Sequence, residues 1–410
     1  MMLFTLLVGL ASAGGDACGR MTNIVAHTPD GPRPGWEISW EDGIITDLGP
    51  SVSLPVGCPD IDGDGRELTP GLIATTTHLG LVEVELESAT IDHSAADGDV
   101  HADFYPVSGY DPRSSVVGIT RAGGITSAAV HPSGGVVSGH VGLVQLTTGH
   151  QRDSILQSNA GVVVRPRAAG SMGAALALMD ALLAESERWR RQKASILAGR
   201  AMASPFAPSH LDGMQAVLRG DEPLFVELDR ASDIEAFASF ARDHRLRWVL
   251  LGGAEAWMMG KELAADDVPV VLDPLVYGSG SFQQRHGRAD NAALLHELGV
   301  TVVLTTRETH NARSLRFVAG NAVRAGLPHG EAVRAVTVNA ARTLGLEERG
   351  RIATGAVADL ALWSGDPLQI STRLVSLHIE GRAQALEDRQ SLLGKRYRAV
   401  ERSVDRRQAD

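Results

Sequence analysis

The stretch Thr69-Pro70-Gly71-Leu72-Ile73-Ala74-Thr75-Thr76-Thr77-His78-Leu79-Gly80 decides how the rest of the chain is read. Within it, Gly71 to Thr76 is a short apolar run with the composition of a strand. His78 stands where such a strand would emerge from a core. Seven further short apolar runs follow it: Ile125 to Val130, Val141 to Thr147, Gly161 to Val164, Leu224 to Leu228, Arg247 to Leu251, Val268 to Leu272 and Val300 to Thr305. Helical stretches separate the later runs, at 232–242, 254–265, 290–298 and 311–325. Strand and helix in alternation is the pattern of a parallel α/β fold, and eight repeats predict an eight-stranded β/α barrel over residues 69–349.

Outward from the barrel on both sides the pattern changes. Residues 21–68 alternate β-rich stretches with Gly, Pro and Asp turns, as in Trp36-Glu37-Ile38-Ser39-Trp40 before Asp42-Gly43, and residues 350–383 return to the same composition. The two flanks are therefore expected to form one small β-sandwich domain. Asp60-Ile61-Asp62-Gly63-Asp64-Gly65 resembles the opening of a calcium loop, but Gly71 occupies the twelfth position where a bidentate Glu belongs, so a turn is expected there. Residues 172–197, rich in Ala, Leu, Arg and Glu, predict a long helix serving as a lid or an outer layer. The charged stretch 395–410 is expected to be a flexible tail.

The 410 residues, 44% of them hydrophobic, suffice for one large core and a smaller appended domain. A formal charge of −11 and dispersed basic residues exclude nucleic acid as the main partner, and a small-molecule substrate is expected instead. No later segment is apolar and long enough to span a bilayer. The apolar run Leu3 to Leu10 ahead of Ala11-Ser12-Ala13 predicts a signal peptide over residues 1–13 and hence export. No Lys or Arg precedes that run, which keeps a cytoplasmic location as the alternative. Cys18 and Cys58 are the only cysteines; outside the cytoplasm they could pair, and two free thiols are the other reading.

Three motifs carry a resemblance to the amidohydrolase superfamily, and in particular to its imidazolonepropionase-like members. Pro70-Gly71-Leu72-Ile73 with Thr76-Thr77-His78-Leu79-Gly80 is similar to the first-strand signature Pro-Gly-Leu-Ile-Asp-x-His-x-His-x-Gly. Gly355-Ala356-Val357-Ala358-Asp359-Leu360 is similar to the C-terminal signature Gly-x-x-Ala-Asp-Leu, and Ala332 to Ala341 resembles the segment that precedes it. The resemblance implies a hydrolase that attacks a non-peptide carbon–nitrogen bond with metal-bound water at the C-terminal mouth of the barrel.

The metal ligands that the resemblance implies are mostly replaced. Thr76 stands for the first His of the first strand, while His78 keeps the second. Arg165 ends the fourth run where an anionic ligand is expected, and the fifth offers Glu227 and Asp229 instead of His. The sixth ends in Leu251-Gly252-Gly253, and the eighth in Thr305-Thr306-Arg307-Glu308 instead of Asp. His78 and Asp229 are the candidate ligands for one divalent ion such as zinc, with no metal at all as the other reading. Asp229, Glu227 and His310 are the candidate acid–base groups. Thr76, His131, Arg165, Asp273, Arg307 and Glu308 are expected to line the pocket. Glu83, Glu85 and Glu87 form either part of the mouth or a solvated edge. The function expected is a hydrolase of non-peptide carbon–nitrogen bonds with a reduced metal centre. The alternative is a catalytically inactive barrel that binds a ligand or assembles as a homodimer or with a catalytic paralogue.

Overall fold

The computed structural model describes residues 17–398 apart from 96 and 279. The expected signal peptide and the end of the expected tail lie outside the described residues. The start of that tail, 395–398, continues a helix from 389. No helix among the described residues is long and apolar enough to cross a membrane.

The described residues open with four strands, β1 (Gly19–Thr28), β2 (Gly31–Glu41), β3 (Ile44–Gly49) and β4 (Asp60–Pro70). The α/β region carries β5 (Leu72–Thr77), β6 (Ile125–Val130), β7 (Val137–His140), β8 (Gly142–Gln145), β9 (Ile155–Gln157), β10 (Val162–Val164), β11 (Leu224–Leu228), β12 (Trp248–Gly252), β13 (Val270–Leu272) and β14 (Val302–Leu304). Three more strands close the chain, β15 (Leu360–Trp363), β16 (Leu374–Ile379) and β17 (Arg382–Ala383).

Strands from both ends join in one seven-stranded sheet, ordered β17-β16-β15-β4-β1-β2-β3. It is a single sheet rolled on itself, not the expected pair of stacked sheets. The free edge β3 meets the segment just before β15, where Ile45 N–H donates to Ala356 O at 2.8 Å and Gly355 N–H to Ile45 O at 2.8 Å. The roll encloses Met21, Ile24, Ile38, Trp40, Leu68 and Leu362. The acidic run Asp60 to Gly65 lies inside β4 and not in a turn, with Asp60 paired to Arg20 at 2.7 Å. Cys18 and Cys58 form a disulfide that ties the start of β1 to the approach to β4.

In the α/β region the strand ladders do not close into the expected eight-stranded cylinder. They form a six-stranded sheet, β14-β13-β12-β11-β10-β7, and a four-stranded one, β5-β6-β8-β9. The third strand is the reason on one side. It was expected as a parallel run over 141–147, but β7 pairs antiparallel with β10 and β8 antiparallel with β6, so two consecutive segments serve one sheet each. At the other seam, between β14 and β5, backbone and side chain of residues 336–339 take the place of a ladder. Ile73 N–H donates to Val336 O at 2.9 Å, and Asn339 Nδ2 to Val302 O at 3.0 Å.

All of these strands nevertheless surround one interior. Ile73, Ala129, Leu143, Val163, Phe225, Val249, Val271 and Val303 pack into a single apolar cluster. Helices cover the outer faces. The helix Met172–Leu197 belongs to that outer layer and is no lid, since Met179, Leu182, Leu183 and Trp189 are buried in the outer core.

Candidate active site

Side chains alternate along a strand, so two residues beyond each inward apolar side chain another points the same way. Val163 is followed by Arg165, Phe225 by Glu227 and Ala129 by His131. The apolar interior thus carries a polar layer at the C-terminal ends of the strands. There lies a cavity of about 210 Å³ lined by Thr76, Thr77, His78, His131, Ser133, Arg165, Glu227, Gly252, Arg307 and Thr309, among others.

Its centre is an ionic array. Glu227 Oε2 accepts from Arg165 Nε at 2.9 Å, and its other oxygen pairs with Arg307 Nη2. Arg307 is brought in by a strained loop. Its φ of 52° is left-handed, a conformation that costs a non-glycine residue on the order of 1 kcal/mol. Two threonines hold the turn: Thr305 Oγ1 accepts the Arg307 N–H at 3.2 Å, and Thr306 Oγ1 the Glu308 N–H at 3.2 Å. Gly252 makes room for this side chain. A Cβ there would lie 2.6 Å from Asp229 Oδ1 and 3.2 Å from Arg307 Nη1, and the φ of 94° also demands glycine.

The imidazoles around the array are held neutral. His131 is buried, with Nε2 2.9 Å from Thr75 O, and burial lowers its pKa to about 4. Burial also lowers His78, to about 3, helped by His93, His131 and Arg165 nearby. His78 is anchored through its backbone N–H, which donates to Thr309 Oγ1 at 3.1 Å, and its ring stacks on His93 with centroids 3.9 Å apart. His93 is itself shifted down by burial and by Arg165, and its Nδ1 lies 2.7 Å from Ser133 Oγ.

Six of the sequence-predicted residues meet here: Thr76, His78, His131, Arg165, Glu227 and Arg307. Four do not line this cavity. Asp229 is engaged in holding the next loops, with Oδ1 accepting from Ala254 N–H at 3.2 Å and Oδ2 from Gln284 Nε2 at 2.8 Å. His310 docks on the connection after β5 instead, with Nε2 3.1 Å from Glu83 O and Nδ1 3.4 Å from Glu85 Oε1. Asp273 turns its own loop by accepting the Leu275 N–H at 2.9 Å, and burial raises its pKa. Glu308 stays in the Thr306 turn. Glu227 serves as an ion-pair partner to two arginines, one on each carboxylate oxygen, and both contacts favour its ionised form. Sequence reading missed Ser133, His93 and Thr309; the only local signal was the Pro132-Ser133-Gly134-Gly135 turn directly after a strand.

The divalent ion that the resemblance implies does not fit this donor set. Among the described residues no three His, Cys, Asp or Glu side chains are grouped to hold one ion. Stacked rings 16° from parallel send their lone pairs along neighbouring planes instead of toward one point. The two guanidiniums would repel a cation, and the single carboxylate of Glu227, already paired with both, offsets only one of them.

Comparison with known proteins agrees with the fold. A model of the amidohydrolase family matches residues 264–388. The chain is 28% identical over 378 residues to imidazolonepropionase from Cereibacter sphaeroides, covering 82% of this chain and 90% of that protein. It is 22% identical over 388 residues to the amidohydrolase tasK of Hapsidospora irregularis, covering 84% of this chain but only 39% of that longer protein. Among solved structures, an amidohydrolase from Thermotoga maritima superposes with a TM-score of 0.82 at 22% identity, over 89% of this chain and 99% of that one. Motifs, sequence relatives and fold together make this chain similar to the amidohydrolase superfamily.

Proposed function

We propose that the chain hydrolyses a carbon–nitrogen bond in a small anionic substrate bound at the mouth of the strands. The observation that carries this reading is the Arg165–Glu227–Arg307 array on the wall of the cavity. With His78 and His131 neutral, the charged side chains that line the cavity are two guanidiniums and one carboxylate, an excess of one positive charge on its wall. A planar guanidinium suits a carboxylate in a way that a lone ammonium does not. The cavity is small beside the roughly 300–1,000 Å³ of drug-sized sites, which favours a substrate of amino-acid dimensions. Relatives named amidohydrolase and imidazolonepropionase support the bond class. The Cys18–Cys58 disulfide supports an exported location, because such bonds are rare in the cytosol.

The test is a panel of cyclic amides and N-acyl amino acids that carry a free carboxylate, each beside its methyl ester. Turnover is expected for the acids and not for the esters. Arg307→Met is expected to raise KM by roughly 10- to 100-fold, the value of one charge-assisted hydrogen bond. Equal rates on acids and esters would overturn the anionic reading. Acids that raise the melting temperature without being consumed would return the chain to the binding or assembly role.

A further inference from the structure

Two connections at the mouth, one after β5 and one after β6, are zipped together. Ser133 N–H donates to His93 O at 2.8 Å, and Ser94 and Ser133 form a parallel bridge. Further along, Val136 and Val137 N–H both donate to Asp99 O, at 2.8 and 2.9 Å, and Val100 pairs with Val137. The turn after Ser133 needs its glycines: Gly134 and Gly135 have φ of 92° and 66°, and a Cβ at Gly135 would sit 2.8 Å from Gly98 O. The ladder fixes a juxtaposition of side chains. Ser133 Oγ and His93 Nδ1 are 2.7 Å apart, and Ser133 forms part of the cavity wall. Stacking on His78 keeps the His93 ring from swinging away.

A hydroxyl within hydrogen-bond reach of an imidazole, with two guanidiniums lining the same cavity as the hydroxyl, is the nucleophile–base pairing that nucleophilic catalysis starts from. We propose that Ser133 is the nucleophile and His93 the general base of a metal-independent hydrolysis at this mouth. The proposal rests on the hydrolase reading above and supplies its machinery. Ser133 Oγ bonds to the carbonyl carbon as its proton passes to His93 Nδ1, and the negative charge on the carbonyl oxygen is met by the Arg165 guanidinium, which lines the same cavity. The carbon–nitrogen bond then breaks, and the nitrogen leaves with the proton that His93 holds. Water attacks the resulting Ser133 ester, giving a proton to His93. The ester bond breaks, the acid departs, and Ser133 takes the proton back.

A fluorophosphonate probe tests this without knowledge of the substrate. The folded full chain is expected to gain one phosphonyl group, located on Ser133 by peptide mass mapping. Ser133→Ala is expected to gain none there, and His93→Gln to label at least about 100-fold more slowly while melting as the wild type does. An unlabelled Ser133 in the folded chain, or His93→Gln labelling at the wild-type rate, overturns the proposal. If Ser133→Ala fails to fold, wild type and His93→Gln decide it between them. Failure here is distinct from failure of the substrate reading. Label on Ser133 with no turnover of the carboxylate panel supports the pair and overturns the substrate class, whereas turnover that Ser133→Ala retains overturns the pair alone.

Discussion

His131 sits at the end of β6 with 3% of its surface exposed, and His378 is equally enclosed in the rolled sheet against Trp40. Burial holds each pKa at about 4, from an ordinary 6.5. The unfolded chain therefore binds these protons between pH 6.5 and 4 while the folded chain does not, so their stabilising effect is complete above 6.5 and is lost as pH falls toward 4. Each such shift is worth roughly 3 kcal/mol. His131→Asn and His378→Asn are each expected to flatten the loss of unfolding free energy across that window by about this amount, measured by urea titration at several pH values. A variant whose profile runs parallel to the wild type contradicts the assignment. His131 was legible in the sequence because it directly follows an apolar run, and Arg165 and Glu227 were legible by the same alternation. His93 was not, because its place beside Ser133 depends on the pairing of two loops that no local pattern encodes. Asp229 and His310 misled for the converse reason. Their residue types suit chemistry, but each is occupied in holding a loop.

Among the elements, β5 shows why the opening motif is so informative. Gly71 of Pro70-Gly71 is not in a left-handed conformation; it is glycine because any Cβ there would overlap the Thr126 side chain of β6. Gly71→Ala is expected to cost about 1–3 kcal/mol by overpacking, and Thr126→Ala in the same chain to recover part of that cost. Chemical denaturation of both single variants and the double variant checks it, and strictly additive losses would rule out the clash. The parallel strands were readable from short apolar runs, since a strand buried on both faces has few other compositions available. The direction of the third strand was not readable, because an apolar run reads the same whichever way it pairs. Its break at Val141 and the antiparallel pairing of both halves turn the expected cylinder into two sheets. The rolled sheet and a sandwich read alike in sequence on similar grounds. Alternation reports a buried face but not whether the covering layer is another sheet or the same one curled over.

Across the whole molecule, the two stretches whose likeness marks the superfamily lie side by side although nearly the whole barrel separates them in sequence. Pro70 and Thr69 of β4 pair with Leu360 and Ala361 of β15, Gly71 N–H donates to Asp359 O at 2.8 Å, and Trp363 Nε1 donates to Thr69 Oγ1 at 2.8 Å. The legible motifs are thus the joint between rolled sheet and α/β region, which explains why they report the fold and say little of the chemistry at the opposite end of β5. Asp359 is the pivot of this joint. One of its oxygens accepts from Arg349 Nη1 at 2.6 Å and the other from the Glu380 N–H at 2.9 Å, while Arg349 Nη2 donates to Glu380 Oε1 at 2.7 Å. The Arg349 and Asp359 side chains are only 4% and 2% exposed, and burial pushes the Asp359 carboxyl up against the pull of the guanidinium. Arg349→Met leaves that carboxylate buried without its counter-charge and is expected to cost about 3–5 kcal/mol. Adding Asp359→Asn removes the stranded charge and keeps an acceptor for the Glu380 N–H, so the double variant is expected to be more stable than Arg349→Met alone. Urea unfolding of the single and double variants measures both quantities. A double variant that loses the sum of the two single costs would show that Arg349 and Asp359 act independently, and the joint would then have to be held by the β4–β15 ladder without them.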